Sequence, residues 1–214
     1  NLSIDETTIN TGGTLTHSTG TLTVQNGNGI DLTNNGTLNA NATLNVNGTL
    51  RSSSTFNKGV SGVITFNSGG VYEHFYSTSA GTIPTATWTT GSTCLISGYT
   101  TNTAALNGLN QNFSNFTWNC PSQTSAMNLN GLTIILGNLS IHSTGVGSIS
   151  LASSFMSVVG DFLITGGNIL NTNSVSIWLE GNFNMSAGTI SMSTGTNLSP
   201  KYFEFNFSSL TATQ

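Results

Sequence analysis

Seven carboxylates, three histidines and two cysteines are the residues in this 214-residue chain best suited to chemistry. The acids are Asp5, Glu6, Asp31, Glu73, Asp161, Glu180 and Glu204. Cleaving a glycosidic bond takes two carboxyl groups roughly 5–10 Å apart. Only Asp161 and Glu180 qualify: in the repeat described below, Glu180 falls one coil beyond Val159, two positions from the column that holds Asp161. The plainer expectation is two solvated surface acids. Glu73 and His74 are adjacent in an alternating run, which places one side chain outward and the other partly buried. His17, His74 and His142 are scattered, and no spacing matches a zinc site. No Ser-His-Asp set, phosphate loop or dinucleotide fingerprint is present. Calcium-binding β-rolls need Asp at each turn, and this chain lacks them. The sequence therefore predicts no catalytic residue, no metal ligand and no cofactor, and reads as a non-enzyme.

Cys94 and Cys120 form an even pair, which in a secreted chain permits a disulfide. They occur in "TWTTGSTC" and "TWNC", which place Cys differently relative to Trp. The alternative is two buried thiols that pack as small hydrophobes. Tyr72, Tyr76 and Trp88 are aromatic residues that could stack on sugars.

Charged residues make up 5% of the chain, against about 25% in an ordinary domain. The net charge is −4, with only Arg51, Lys58 and Lys201 as basic residues. Three cations cannot replace the counterions of a nucleic acid, so a nucleic-acid partner is excluded. No apolar run approaches the roughly 20 residues of a membrane span, so membrane insertion is not expected. Hydrophobic residues alternate throughout, which argues for strands rather than disorder. The chain opens on "NLSIDETT" without an initiator Met or a signal peptide. It reads as a mature protein or a segment of a longer one, with a surface suited to the extracellular space.

A repeat organises the whole chain. "GNLSI", "GDFLI" and "GNFNM" align at Gly137, Gly160 and Gly181, and "GSISL", "GNILN" and "GTISM" at Gly147, Gly167 and Gly188. "TIIL", "SVV" and "SIWLE" precede the first set. In the N-terminal half, "GTLT", "GTLTV" and "GIDL" answer "GTLN", "ATLNV" and "GTLR", with steps of 23, 22 and 19. Three short strands per period of about 21 residues define a parallel β-helix solenoid, in the range expected of stacked repeats. The fold is all-β and expected to be right-handed. Roughly ten coils at about 4.8 Å would make a rod of about 50 Å. One β-helix domain spans 1–214: regular Thr/Asn-rich coils over 1–75, irregular coils with an excursion at 100–111 over 76–130, and regular coils over 131–214. The best helix candidate is "TAALNGLNQ" from Thr103. Asn138, Asp161 and Asn182 fall in register and are expected to stack.

One feature exceeds a bland scaffold. In the aligned "TIIL", "SVV" and "SIWLE" the outward columns read Ile134/Ser157/Trp178 and Leu136/Val159/Glu180. Ile134, Leu136, Val159 and Trp178 thus form an apolar outer face where polar residues belong, which marks a covered surface. The excursion at 100–111, a neighbouring domain or another subunit could cover it. Thr-x-Thr arrays for ice binding do not persist: "TLT" at Thr14 and at Thr21 lie on different faces of one coil, and the next coil reads "TLN". The Asn-x-Ser/Thr sequons, for example at Asn41, Asn115 and Asn184, are what so much Asn yields by chance.

The phrases "GGVYEH", "GTIPTATWTTGSTCLISG", "NFTWNCPSQT" and the "GNLSI" coils resemble a repeat region of large Bacteroidota surface proteins. These are adhesin-like and gliding-associated giants exported by type IX secretion. The resemblance spans roughly residues 60–200 and implies an extracellular, non-catalytic β-helix within a longer chain at the cell surface. The reading is a structural or adhesive module of a surface protein or filament, whose partners are other copies or neighbouring domains. A carbohydrate-binding or carbohydrate-cleaving β-helix with glycan partners is the alternative, and ice binding the third.

Overall fold

The structure is a computed structural model that describes residues 1–151, 155–171, 175–192 and 203–207. The phrase from Gly36 to Leu50 shows how the chain is built. Its strands Thr37–Ala40, Thr43–Val46 and Thr49–Ser52 lie in three different sheets. None pairs with its sequence neighbour; each pairs with the strand one coil before and one coil after. A two-sided strand of four residues cannot bury enough alone, so the stack supplies the partner. The result is a parallel β-solenoid with three walls, and no helix forms among the described residues.

One wall is continuous. Nine strands, from Thr7–Ile9 to Phe183–Met185, pair in order of chain passage. Thr7 and Phe183 end one column eight steps apart, so the mean coil is about 22 residues. Eight steps of about 4.8 Å make this wall about 40 Å tall, shorter than the ten coils the repeat predicted. The other two walls each consist of an N-terminal and a C-terminal sheet. Strands Thr14–His17 to Phe56–Lys58 and Leu2–Ile4 to Thr87–Trp88 form the two N-terminal sheets. Strands Ala126–Asn128 to Thr189–Met192 and Ile134–Ile135 to Phe203–Phe207 form the two C-terminal sheets. Between them lies the irregular stretch, which only the nine-stranded wall crosses with regular strands.

Alternation sorts the side chains. Along the long wall, Leu32, Leu50, Tyr72, Cys94, Phe116, Leu139 and Phe162 form one inward column, and all are buried. A buried aliphatic or aromatic side chain is worth roughly 1.5–3 kcal/mol. This explains one departure from the repeat. The aligned glycines predict a step of 19 from "GIDL" to "GTLR", which would set Leu32 opposite Arg51. The observed partner is Leu50, a step of 18. A slip of one residue would turn Leu32 to solvent, so the core fixes the shorter step. The spare residue is absorbed at Asp31, whose buried carboxylate accepts the N–H groups of Gly27 at 2.6 Å and Thr49 at 2.5 Å. A Cβ on Gly48 would overlap that carboxylate, so glycine is required there for close approach and not for a positive φ.

A further expectation fails for an identifiable reason, and one shared phrase proves to serve two walls. The helix from Thr103 does not form: Leu106 and Leu109 enter the core and Asn107 bridges Thr82. The shared Thr-Trp phrases are not equivalent positions. Trp88 pairs with Phe66, whereas Trp118 pairs with Ile96 on the long wall. What they share is a glutamine: Trp88 Nε1 donates to Gln111 Oε1 and Trp118 Nε1 to Gln123 Oε1, both at 2.9 Å. The glutamine amides also bond the backbone of the irregular turns, Gln111 to Gly108 and Gln123 to Ser125 and Ser148. Amides, buried at Gln123 and half-buried at Gln111, thus replace missing ladder bonds.

Candidate functional site

The strongest candidate is the outer face of Ile134–Ile135, Phe155–Val158 and Val175–Leu179. Pairing sets Ile134 beside Ser157 and Ser157 beside Trp178, the column the sequence predicts. Val159 donates its N–H to Ile135 O and Glu180 to Val158 O, which brings Leu136, Val159 and Glu180 into the second column. Leu136 is 52% exposed, Trp178 40% and Val159 38%, while Ile134 is half-buried. The excursion at 100–111 does not cover them; its leucines point into the core instead. Phe155, 49% exposed, belongs to the same face and was missed. Reading "SVV" two residues further toward the N-terminus would have found it, since Phe155, Ser157 and Val159 share one parity.

The aromatic residues expected to meet sugars lie elsewhere. Tyr72 is fully buried, and Trp88 and Tyr76 nearly so. Trp88 stacks on Phe66 at 4.4 Å between ring centroids, and Tyr72 packs tilted against Phe66 and edge-on against Trp88. They form core, so the stacking role is corrected. Inward parity in "GVYEH" and its neighbours is what places Tyr72 inside.

Behind Tyr72 lies a buried polar cluster. His74 Nε2 donates to Ala80 O at 2.8 Å, so Nδ1 is the acceptor for the Tyr72 hydroxyl at 3.1 Å. Tyr99 also donates to Ala80 O, and Tyr76, which stacks on the imidazole at 4.4 Å, donates to Ser54 O. Burial lowers the His74 pKa to about 4, against the opposing effect of the Ala80 carbonyl. Burial likewise pushes the Tyr72 and Tyr99 hydroxyls up. All stay neutral near pH 7, so the cluster ties the irregular loop to the core and holds no charge.

Cys94 and Cys120 are both free and buried. Cys94 sits opposite Phe116, so Cys120 lies four residues further along the adjacent strand. At about 3.3 Å per residue that offset is roughly 13 Å, beyond the roughly 7 Å limit for a disulfide. The disulfide is corrected to two thiols. Burial raises both, Cys120 to about 12.

The acids are likewise engaged in structure. Asp161 Oδ1 accepts the backbone N–H of Asn182 at 2.8 Å and its amide at 3.1 Å, and makes no hydrogen bond to Glu180. Glu73 is buried and forms a two-point ion pair with Arg51, at 2.7 and 3.1 Å. His74 is fully buried, more so than adjacency alone predicted. Asp5 and Asp31, unpaired by the repeat, share a hydrogen bond that raises the Asp5 pKa, with burial and the charge of Asp31 adding to it. Among the described residues, no three of His, Cys, Asp and Glu gather into a metal site. No helix there is long and apolar enough to cross a membrane.

The fold and site together define the chain as a parallel β-solenoid with an apolar stripe on one wall. No family model, no curated protein and no solved structure matches it.

Proposed function

We propose that the chain is a non-catalytic structural or adhesive module of an extracellular surface protein or filament, acting by contact along the wall that carries Ile134, Leu136, Val159 and Trp178. The observation that carries this reading is the exposure of Leu136, Phe155, Val159 and Trp178 on adjacent coils. Soluble monomers rarely leave contiguous apolar patches larger than a few hundred Å² without a partner. A stacked sheet holds these side chains at fixed spacing, which suits a repeated contact. The resemblance to adhesin-like surface repeats supports the location.

Sedimentation velocity together with electron microscopy tests it. The parent chain is expected to associate with itself, or with neighbouring segments of the native polypeptide, as concentration rises. The double variant Leu136→Ser, Trp178→Ser should remain monomeric with an unchanged melting temperature. A parent chain that stays a discrete monomer at its solubility limit, and forms no fibre or larger particle from native material, refutes the reading.

A further inference from the structure

A second surface, on the irregular coils, has the chemistry of a binding cleft. It is a hollow of about 480 Å³ at the edge of the long wall, within the roughly 300–1,000 Å³ of small-molecule sites. Phe75, Ser97 and Asn119 reach it from three successive coils, being register partners on the outward parity. Tyr99 is buried beneath, and Ser77 and Ser122 stand at the rim where the chain leaves the wall.

Phe75 is 41% exposed yet held in place. The Arg51 guanidinium lies 4.6 Å from its ring centroid, and Glu73 fixes that guanidinium at two points. Ser97 donates to the same Glu73 carboxylate at 2.7 Å. One edge of the ring also meets Gly98, where a Cβ would come within 3.0 Å of Phe75 Cδ2. An exposed aromatic ring fixed this way is pre-organised for contact. Around it, the Asn119 amide and the Ser77 and Ser122 hydroxyls make no side-chain hydrogen bond within the chain. Each can both donate and accept.

We infer that this cleft binds a neutral oligosaccharide, with Phe75 as the platform for a pyranose ring and Asn119, Ser77 and Ser122 as partners for its hydroxyls. No ionisable carboxylate, amine or guanidinium lines the cleft, and Arg51 is already neutralised by Glu73, so a charged ligand gains nothing there. Strand addition by a peptide is closed, because the strands at Phe75, Ser97 and Asn119 are hydrogen-bonded on both sides. A sugar offers what remains: apolar C–H faces for the ring and paired hydroxyls for the amide and serines. This site is separate from the apolar wall and does not depend on it.

Isothermal titration of the full chain with hexaoses of glucose, mannose, xylose and N-acetylglucosamine tests the inference. At least one is expected to bind saturably. Phe75→Ala should weaken it about tenfold, the loss of one stacking contact. Phe75→Trp should keep it, and Trp178→Ser should leave it unchanged. All variants should melt with the parent. Failure of every hexaose to bind overturns the inference, as does binding of undiminished affinity in Phe75→Ala. A proline-rich peptide that binds through Phe75 while no sugar does would also overturn it and reassign the cleft.

Discussion

The side-chain oxygen of Asn138 accepts the backbone N–H of Asp161 at 2.8 Å, one coil further on. Asn115 does the same for Asn138 at 2.9 Å, and Asp161 for Asn182 at 2.8 Å. The column is therefore chiefly a ladder of side chain to backbone, with one side-chain contact from the Asn182 amide to Asp161. It satisfies the N–H just before each of the strands Leu139–Ser143, Phe162–Ile164 and Phe183–Met185 of the long wall.

Removing one rung should cost a single part-buried bond plus the orphaned donor. Asn138→Ala is expected to lower stability by about 1–2 kcal/mol. Asp161→Asn keeps the acceptor and should cost far less. Urea unfolding of both variants beside the parent decides this; equal losses would mean that the oxygen at this position is not what matters.

The thiols give a chemical count. Cys94 and Cys120 are buried, with pKa values pushed up by burial. Both thiolate fraction and access are thus suppressed. Native protein should react with almost no thiol reagent at pH 8, and unfolded protein with two equivalents, without a reductant. A count of zero after unfolding would mean a disulfide, and with it a wrong register between Cys94 and Phe116.

Much of this register was legible from residues. The alignment of Gly137, Gly160 and Gly181 gives Leu139 opposite Phe162 and Phe183, and the structure pairs them so. The same holds for Ile149, Ile169 and Ile190. Periodic glycine marks corners, and alternation fixes faces, so regular coils are readable. The step at Asp31 was not, because a buried carboxylate absorbing one residue leaves no periodic mark. Nor were Trp88 and Trp118, where a shared dipeptide concealed different walls. For the candidate surfaces, outward parity found Leu136, Val159 and Trp178. Assigning aromatic residues to sugar without parity chose Tyr72 and Trp88, which are core, and passed over Phe75, which shares the outward parity of Glu73.

His74 makes the irregular coils acid-sensitive. Its pKa falls from 6.5 to about 4 on folding because burial disfavours the imidazolium. The unfolded chain therefore binds the proton first. The contribution of His74 to stability is complete above pH 6.5, declines as pH falls from there, and is lost by about pH 4. The shift corresponds to on the order of 3 kcal/mol. His74→Gln should flatten that part of the stability profile, measured as urea midpoints between pH 7 and 4. An equally steep profile in the variant would place the acid sensitivity elsewhere.

Asp5 carries the opposite sign. Its pKa is raised, first by the hydrogen bond to Asp31, then by burial and by the charges of Asp31 and Glu6. A carboxyl whose folded pKa exceeds its unfolded value stabilises when protonated, so its contribution is present at low pH and lost as pH climbs through the raised value. Above that point two carboxylates face each other in the first coils. Asn at position 5 can donate to Asp31 at every pH and carries no charge. Asp5→Asn should therefore slow hydrogen exchange at the Gly27 and Thr49 amides on the alkaline side of the raised Asp5 value, where the parent has lost the shared proton. On the acid side the two proteins should exchange more alike. Faster exchange in the variant on the alkaline side would mean that the Asp5 carboxylate holds this corner through some contact other than the proton it shares with Asp31.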